Sequence, residues 1–273
     1  MKLSLSVRVA ESFSDKTRAT MGLEDLARLA KKVGYEALCM RASQVGVHSP
    51  MERVLEMRRA LEGLGLAVSM VTGDFAIPQN SAQGPDALRN ITPHLDLAEA
   101  FGTGLIRVCM KREEDIAPAR RAAEEAGERG IRLAHQCHTA SLFETVEGAL
   151  EVIRKIDRPN FGLIYEPANL DLCGQDYGPE TIRRFAPHLF NVYVQNHRRH
   201  PEGKSAVDTW VRGEVRFDLI RLQDAGGVDF PTVIKGLRSA GYDGFVTVHQ
   251  AFAGLLGADE AARQSFEYLS SIL

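Results

Sequence analysis

The stretch AGERGIRLAHQ (residues 126–136) contains the pattern that decides the fold: the end of an amphipathic helix, a glycine, a short apolar run and a polar residue where the run stops. The pattern recurs in AKKVGYEALCMR (30–41), LEGLGLAVSMVTG (61–73), AFGTGLIRVCMK (100–111) and LRSAGYDGFVTVHQ (237–250). A glycine after the last helical turn is the usual left-handed C-cap, and an apolar run rich in Val, Ile and Leu is typical of a buried parallel strand. Each copy therefore predicts one step from a helix to a parallel strand.

Repetition of this step along 273 residues, without a long break in composition, favours an α/β fold in which eight β/α units close into a single (β/α)8 TIM barrel. We predict one domain over residues 1–273. The predicted strands lie near 3–9, 36–41, 67–72, 104–110, 131–136, 161–166, 189–195 and 244–249. The predicted helices lie near 22–33, 50–64, 85–101, 115–129, 142–156, 179–186, 230–240 and 258–272.

The composition is that of an ordinary globular domain, with 44 % hydrophobic and 25 % charged residues. The net charge of −3 offers no basic face for a nucleic acid, and no apolar stretch reaches the length that spans a membrane. The amino terminus alternates apolar and polar residues, which predicts a strand and not a signal peptide. Four cysteines without a zinc-type CxxC spacing predict free thiols in a reducing compartment, so we expect a cytoplasmic protein.

Polar residues stand at the ends of the four late strands. His135, Glu166, Gln195 and His249 each close an apolar run. In a barrel of this kind the carboxyl ends of the strands surround the active site, so these side chains are candidate metal ligands. The alternation of strand seven also allows Tyr193 to face the ion in place of Gln195.

A long connection interrupts the regular alternation of predicted strands and helices at about residues 196–229, between the seventh strand and the seventh helix. A shorter insertion, GDFAIPQNSAQGP (73–85), follows the third strand. Long loops in compact domains are usually functional lids or contacts to a partner subunit. We therefore expect the two segments to enclose a small polar ligand.

The order of elements, the helix-glycine-strand pattern and the segment GGVDFPTVIKGLRSAGYDGFVTV (226–248) resemble the xylose isomerase-like TIM barrel superfamily. That superfamily includes sugar phosphate isomerases and epimerases, myo-inosose isomerase and dehydratase, and endonuclease IV. The resemblance covers nearly the whole chain. It implies a small sugar or cyclitol substrate and, by analogy with other barrels, a homo-oligomer.

The resemblance also implies a divalent metal, held in the superfamily by a Glu on strand five, an Asp on strand six, a His on strand seven and a Glu on strand eight. The corresponding strand ends here carry His135, Glu166, Gln195 and His249, so only one carboxylate is kept. An imidazole-rich set suits a transition metal. Manganese is the expected ion, with iron, cobalt or zinc as alternatives.

Proton-transfer residues must then come from outside the ligand set, because a metal-bound imidazole nitrogen cannot also take a proton. His138 and His197 are the candidate bases near the same rim. The candidate substrate-binding residues are Asn169, Arg41, Lys111 and Glu11. Asn169 occupies the position where the superfamily often has a substrate-binding His.

These residues predict a metal-dependent sugar or cyclitol isomerase or epimerase that shifts a proton next to a metal-polarised carbonyl. One alternative is a dehydratase or lyase acting on a keto sugar, including elimination of the kind catalysed by C-glycoside deglycosidases. Another is a barrel that binds a carbohydrate or a protein partner without turnover. Neither a GxGxxG nor a GxxxxGK[ST] pattern occurs, so no nucleotide cofactor is expected.

Overall fold

Eight parallel strands close into a barrel in the computed structural model, which describes residues 1–11, 15–252 and 254–273. Around the barrel the strands follow the order β1-β11-β7-β6-β5-β4-β3-β2, and β1 pairs with both β2 and β11. The barrel strands are β1 Lys2–Ser6, β2 Ala37–Arg41, β3 Ala67–Thr72, β4 Leu105–Val108, β5 Arg132–Gln136, β6 Phe161–Tyr165, β7 Leu189–Val194 and β11 Phe245–Val248. The predicted (β/α)8 barrel is confirmed.

Helices cover the outside of the barrel. They are α1 Leu23–Val33, α2 Met51–Gly63, α3 Thr92–Phe101, α4 Ile116–Glu128, α5 Val146–Ile156, α6 Pro167–Leu172, α7 Pro179–Phe185, α8 Phe230–Ser239 and α9 Ala258–Ile272. Single 3-10 turns lie at Val7–Ala10, Gly84–Leu88, Glu113–Asp115 and Ala186–His188. The glycine after a helix has the expected positive φ, for example 68° at Gly130 and 72° at Gly241. In the copy of the pattern at residues 100–111, the glycine with positive φ is Gly102, at 68°.

The alternation of side chains along each strand determines which residues reach the centre of the barrel. One buried interior cluster consists of Cys39, Met70, Leu105, Ala134, Ile164 and Tyr193. Since every second residue of a strand faces the same side, the residue two positions further on also points inward, one layer closer to the carboxyl rim. On β4 and β5 these residues are Arg107 and Gln136.

The long connection 196–229 contains a three-stranded antiparallel sheet, which we call the lid sheet. Its strands are β8 His197–Arg199, β9 Ser205–Thr209 and β10 Gly213–Leu219, with β10 in the centre. The alternating sequence EVRFDLI around β10 is the strand pattern that the sequence interpretation overlooked. Val207, Phe217 and Leu219 of the lid sheet line the cavity at the carboxyl end of the barrel.

Asn196 attaches the lid sheet to the barrel. Its side chain is fully buried, and its Oδ1 accepts hydrogen bonds from the backbone N–H groups of His197 and Val228. Its Nδ2 donates to the carbonyl of Arg221 at 3.0 Å, and its own N–H donates to Gln250 Oε1 at 2.7 Å. One amide thus fixes both ends of the long connection against the barrel.

Two predicted elements differ from the structure in their extent. The helix expected over 85–101 is divided into a 3-10 turn and α3, with Pro93 in the first turn of α3. The first strand, expected over 3–9, ends at Ser6 and continues as a 3-10 turn that carries Arg8. All four cysteines are buried and free, as predicted. Among the described residues, no helix has the length and apolar character needed to cross a membrane.

Candidate active site

A cavity of about 100 Å³ opens at the carboxyl ends of the barrel strands, beneath the lid sheet. Pro78 from the insertion after β3 lines it from the other side, as expected for a cover of the opposite rim. The charged and polar residues lining the cavity are Arg8, Lys16, Arg41, Arg107, Gln136, His138, Thr139, Asn169, Gln195, His197 and His249. In the part of the chain that the structure describes, no Asp or Glu lines this cavity.

Four of these side chains, Arg8, Lys16, Arg41 and Arg107, form what we call the cationic cluster. Glu11 is the carboxylate that balances it. Arg41 contacts Glu11 through two hydrogen bonds of 2.9 Å, and Arg8 contacts the same carboxylate at 3.2 Å. Burial raises the pKa of Glu11, but the charge and hydrogen bonds of Arg41 outweigh this effect and hold the pKa below its usual value. Glu11 therefore stays charged at neutral pH.

Arg107 lies inside the barrel on β4 and is only 3 % exposed. Its Nε has no hydrogen-bond partner among the described residues. The guanidinium lies 6.0 Å from the ring centroid of Tyr193. A buried guanidinium with an unmatched donor is costly in free energy, so Arg107 is a group that a bound ligand would satisfy.

Lys16 reaches the cavity from the segment after β1. Its Nζ donates to the carbonyl of Pro78 at 3.0 Å. Desolvation, together with the positive charges of Arg8, Arg41 and Arg107, lowers the pKa of Lys16 to about 7. The side chain can therefore exchange a proton near neutral pH.

His138, a predicted catalytic residue, lines the cavity after β5. Its Nδ1 lies 2.8 Å from the carbonyl oxygen of Thr139 and must donate to it, because a carbonyl only accepts. Burial, then the nearby charge of Arg107, lower the pKa of His138 well below its usual value. The ring is neutral at pH 7, and Nε2 is its basic nitrogen.

His249 enters the cavity from the end of β11. Its ring stacks on Tyr193 with centroids 3.7 Å apart, and its Nδ1 lies 3.0 Å from Ser6 Oγ. Burial, followed by the charge of Arg41, lowers the pKa of His249 well below its usual value. His249 is thus a second neutral imidazole at the cavity, held by a ring and a hydroxyl.

His197, the other predicted catalytic residue, is 2 % exposed and also lines the cavity. Its Nε2 lies 3.0 Å from Asp171 Oδ2, and Arg199 contacts the same oxygen at 3.0 Å. Burial raises the pKa of Asp171, but the hydrogen bond from His197 and the charge of Arg199 hold it below its usual value. A charged carboxylate therefore orients the ring of His197.

Glu166 lies behind the cavity wall and is fully buried. Its Oε2 accepts hydrogen bonds from Gln136 Nε2 and from Asn169 Nδ2, the latter at 2.8 Å, while Oε1 has no partner among the described residues. Burial raises the pKa of Glu166 to about 8, despite the opposing hydrogen bond from Gln136. Asn169, a predicted substrate-binding residue, also lies within 3.4 Å of Gln195 and lines the cavity with it.

His135, a predicted metal ligand, does not line the cavity. Its ring stacks on Phe143 at 4.3 Å, and its two nitrogens lie 2.6 Å and 3.2 Å from the carbonyl oxygens of Gln136 and Met110. The sequence interpretation was one residue out of register on β5, because Ala134 faces the barrel interior and its neighbour His135 faces the helices. Gln136 takes the inward position.

Three predicted substrate-binding residues have different environments. Arg41 lines the cavity. Glu11 is engaged by Arg8, Arg41 and Ser43 and does not line the cavity, so its observed role is to neutralise buried charge. Lys111 donates to the carbonyl of Asn80 at 3.0 Å and is also absent from the cavity wall. Of the three residues, Arg41 lines the cavity, and Glu11 and Lys111 lie outside it.

The donor set at the cavity does not fit a divalent cation. Within the described residues there is no group of three or more His, Cys, Asp or Glu side chains that could hold a metal ion. The cationic cluster repels a dication. Gln136 Oε1 and Glu166 Oε1 are buried oxygens without a partner among the described residues, yet one amide oxygen and one carboxyl oxygen make a small ligand set. The expected metal remains a prediction that these side chains do not support.

The geometry defines a (β/α)8 barrel with a ligand cavity at the carboxyl ends of its strands, the place where barrels of this class bind substrates. Residues 27–272 match the profile of the xylose isomerase-like TIM barrel family, and the chain belongs to that family. The family resemblance expected from the sequence is confirmed. No curated protein matches this chain at a significant level.

Solved structures share the fold at low sequence identity. The probable 3-DHS dehydratase AsbF of Bacillus anthracis is 18 % identical, with a TM-score of 0.74 over 99 % of both chains. A D-allulose 3-epimerase of Methylomonas sp. is 15 % identical, with a TM-score of 0.71 over 100 % of this chain and 98 % of its own. The IOLI protein, solved with a bound zinc atom, is 14 % identical, with a TM-score of 0.72 over 100 % and 98 %.

Several cavity residues were missed by the sequence interpretation. Arg107 has a clear signal in retrospect, because it interrupts the apolar strand LIRV, where a charge is exceptional unless it has a purpose. Arg8 similarly follows the alternating first strand. Lys16 lies in a polar segment, SDKTRAT, and nothing in the local pattern marks it.

Proposed function

We propose that this protein is an isomerase or epimerase that moves a proton next to the carbonyl of a small, oxygen-rich substrate. In this proposal the cationic cluster takes the electrophilic role that a metal ion has in relatives. The observation that carries it is the presence of neutral imidazoles, His138 and His249, in one cavity with the cationic cluster. Acid–base groups with displaced pKa values in one cavity are typical of a proton-transfer site.

His138 is the proposed base. Its Nδ1 proton is held by the Thr139 carbonyl, so Nε2 can accept the proton that leaves the carbon next to the carbonyl. The electron pair moves onto the carbonyl oxygen, where the negative charge develops. A side chain of the cationic cluster stabilises this oxygen as a preorganised positive charge.

His249 is the proposed second proton-transfer group: its neutral ring takes up a proton from solvent, and the imidazolium so formed gives that proton to the neighbouring carbon or to the opposite face. β5 and β11 are three strands apart around the eight-stranded barrel, so His138 and His249 enter the cavity from nearly opposite sides. Two groups on different sides of the substrate suit an epimerisation. The enclosed volume of about 100 Å³ is smaller than the roughly 150 Å³ that accommodates a benzene ring, so it takes one end of a small substrate.

Elimination of water or another leaving group is the second candidate, because it shares the first proton abstraction. It is favoured by the pair of His197 and Asp171, which provides an oriented imidazole at a third wall of the cavity. A protonated His197 would donate to the leaving oxygen while the double bond forms.

The test is deuterium incorporation from D2O, followed by NMR, for a panel of ketoses, cyclitol ketones and hydroxy keto acids. Exchange of a proton next to the carbonyl is expected for at least one substrate, with net isomerisation or elimination as the second readout. His138→Gln and His249→Gln are each expected to slow exchange by about 10²–10⁴-fold. His188→Gln is the matched control, because that histidine does not line the cavity.

Repeating the exchange experiment with a chelator shows whether the cationic cluster or a divalent metal ion polarises the carbonyl. Exchange that continues unchanged after chelation supports the cationic cluster as electrophile. Exchange that stops on chelation and returns with a divalent ion refutes this mechanism and favours the metal-dependent alternative.

A further inference from the structure

The charges around the cavity do not balance. The cationic cluster has four positive side chains, Arg8, Lys16, Arg41 and Arg107, and among the described residues the carboxylate that pairs with it is Glu11. The excess is three charges when Lys16 is protonated (four minus one) and two when it is neutral (three minus one). The whole chain carries a net charge of −3, so this positive excess is local and is not a property of the surface.

Within the cluster, Arg41 and Arg107 differ in their partners. Arg41 is held by both oxygens of Glu11. Arg107 is 3 % exposed, lines the cavity, and has an unpartnered Nε; no described Asp or Glu forms an ion pair with it. The Nε–H of Arg107 is therefore available to a ligand, and an anion with two oxygens matches the geometry of the guanidinium.

We propose that the cavity binds its ligand through an anionic group, a carboxylate or a phosphate, held by the guanidinium of Arg107 and the ammonium of Lys16. The proposal rests on the proposed function for the identity of the site and specifies the class of substrate. The sugar or cyclitol expected from the sequence, if it carries no charged group, leaves Arg107 without a counter-charge. A negatively charged keto or hydroxy compound satisfies it.

The surroundings of the proposed anion favour the same ligand. The lid sheet covers the cavity with the apolar side chains of Val207, Phe217 and Leu219. Exclusion of water by the lid sheet strengthens the attraction between the anion and the guanidinium. A dianion, such as a phosphate monoester or a dicarboxylate, comes closest to neutralising the excess of two to three charges.

The experiment is calorimetric titration of the full chain with inorganic phosphate, with malonate and, as the neutral probe, with glycerol. We expect phosphate or malonate to bind and glycerol not to bind. Arg107→Gln is expected to weaken anion binding at least tenfold. Arg132→Gln is the control, because Arg132 is also on a barrel strand but stacks on Phe190 away from this cavity. The phosphate and malonate arms distinguish the two kinds of anion.

Thermal unfolding without anions provides a readout that a structural role would not give. If Arg107 serves a ligand, Arg107→Gln removes a buried unpaired charge and raises Tm, by roughly 2–6 °C. If Arg107 serves the fold, the same change lowers Tm. Equal anion affinity in Arg107→Gln and the parent, or binding of glycerol as tight as that of phosphate, overturns the proposal.

The outcomes separate this inference from the proposed function. Anion binding that depends on Arg107, together with no deuterium exchange for any substrate, keeps the anion site and rejects the isomerase. Exchange with uncharged sugars, together with no anion binding, keeps the isomerase and rejects the anion site.

Discussion

Replacement of Glu11 by Gln tests whether one buried carboxylate holds the cationic cluster together. Glu11 is 1 % exposed and Arg41 is 1 % exposed, and the two are joined by two hydrogen bonds of 2.9 Å. Removing one partner of a buried ion pair costs about 3–5 kcal/mol, because the other charge stays buried without compensation. The Gln amide also turns N–H donors toward guanidinium donors.

For a domain of this size, about 2–4 °C of Tm is lost per kcal/mol, so Glu11→Gln is expected to lower Tm by roughly 6–20 °C. The assay is thermal unfolding by circular dichroism at pH 7. Glu260→Gln is the matched control, because the side chain of Glu260 is 42 % exposed and also pairs with an arginine, and no measurable change is expected. A Glu11→Gln variant that melts within about 2 °C of the parent refutes the reasoning.

The pH dependence gives a second check. The folded pKa of Glu11 lies below its usual value, so its contribution to stability is complete above the unfolded pKa of about 4.3 and is lost as the pH falls through the folded pKa. The difference in Tm between parent and variant should therefore be constant between pH 6 and 8 and shrink only in acid. Phosphate should raise the Tm of the variant more than that of the parent, because it offsets the missing carboxylate.

Three further predictions concern the lid sheet, the anion and the barrel floor. Asn196→Ala should lower the free energy of unfolding by about 1–3 kcal/mol, and Tm with it, because it leaves backbone groups at both ends of the lid sheet unpaired. Unchanged melting and unchanged proteolysis of the lid sheet would contradict the anchoring role. Malonate affinity should fall as the pH rises through about 7, because Lys16 loses its charge between Arg8, Arg41 and Arg107 while malonate stays a dianion; titration of Lys16→Arg should show a flatter profile, and an identical profile argues against this origin. Gly162→Ala should lower the free energy of unfolding by about 1–3 kcal/mol, because the added Cβ would lie 2.3 Å from a backbone carbonyl oxygen. Equal denaturant midpoints for variant and parent would be inconsistent with that contact.

The architecture follows from the sequence because helix, glycine cap and apolar strand are all local signals. The strand at 67–72 was predicted with its observed bounds, and α9 likewise over 258–272. What the local signal does not determine is which side of a strand faces inward. His135 and Gln136 illustrate this limit, since both are polar and adjacent, and only the barrel decides between them.

The lid sheet was missed for a related reason. Its three strands are short and polar, and β8 consists of His197–Arg199 only. An antiparallel sheet with one exposed face has no continuous apolar run, so its sequence is similar to that of a loop. The pairing of β10 with both neighbours, not the composition, makes it a sheet.

The cationic cluster could not be assembled from the sequence, because its members come from separate parts of the chain. The first two members, Arg8 and Lys16, follow β1, whereas Arg41 lies on β2 and Arg107 on β4. They become neighbours only when the barrel closes. The overall charge of −3 even pointed away from a basic site. The charge of a cavity depends on which residues the fold brings together, so the net charge of the chain does not predict it.

The residues at the superfamily's metal-ligand positions and the cationic cluster both make the site more positive. A site with three carboxylates needs a dication, whereas a site in which Gln136 and His249 occupy two inward positions and Glu166 has a raised pKa carries almost no negative charge. The positive charge that stabilises a developing enolate must then come from the protein itself, and Arg107 on β4 lies in the cavity without an ion-pair partner among the described Asp and Glu residues. Both roles of the cluster, binding an anion and stabilising an enolate, require the same excess of charge, so a variant that loses one should lose the other.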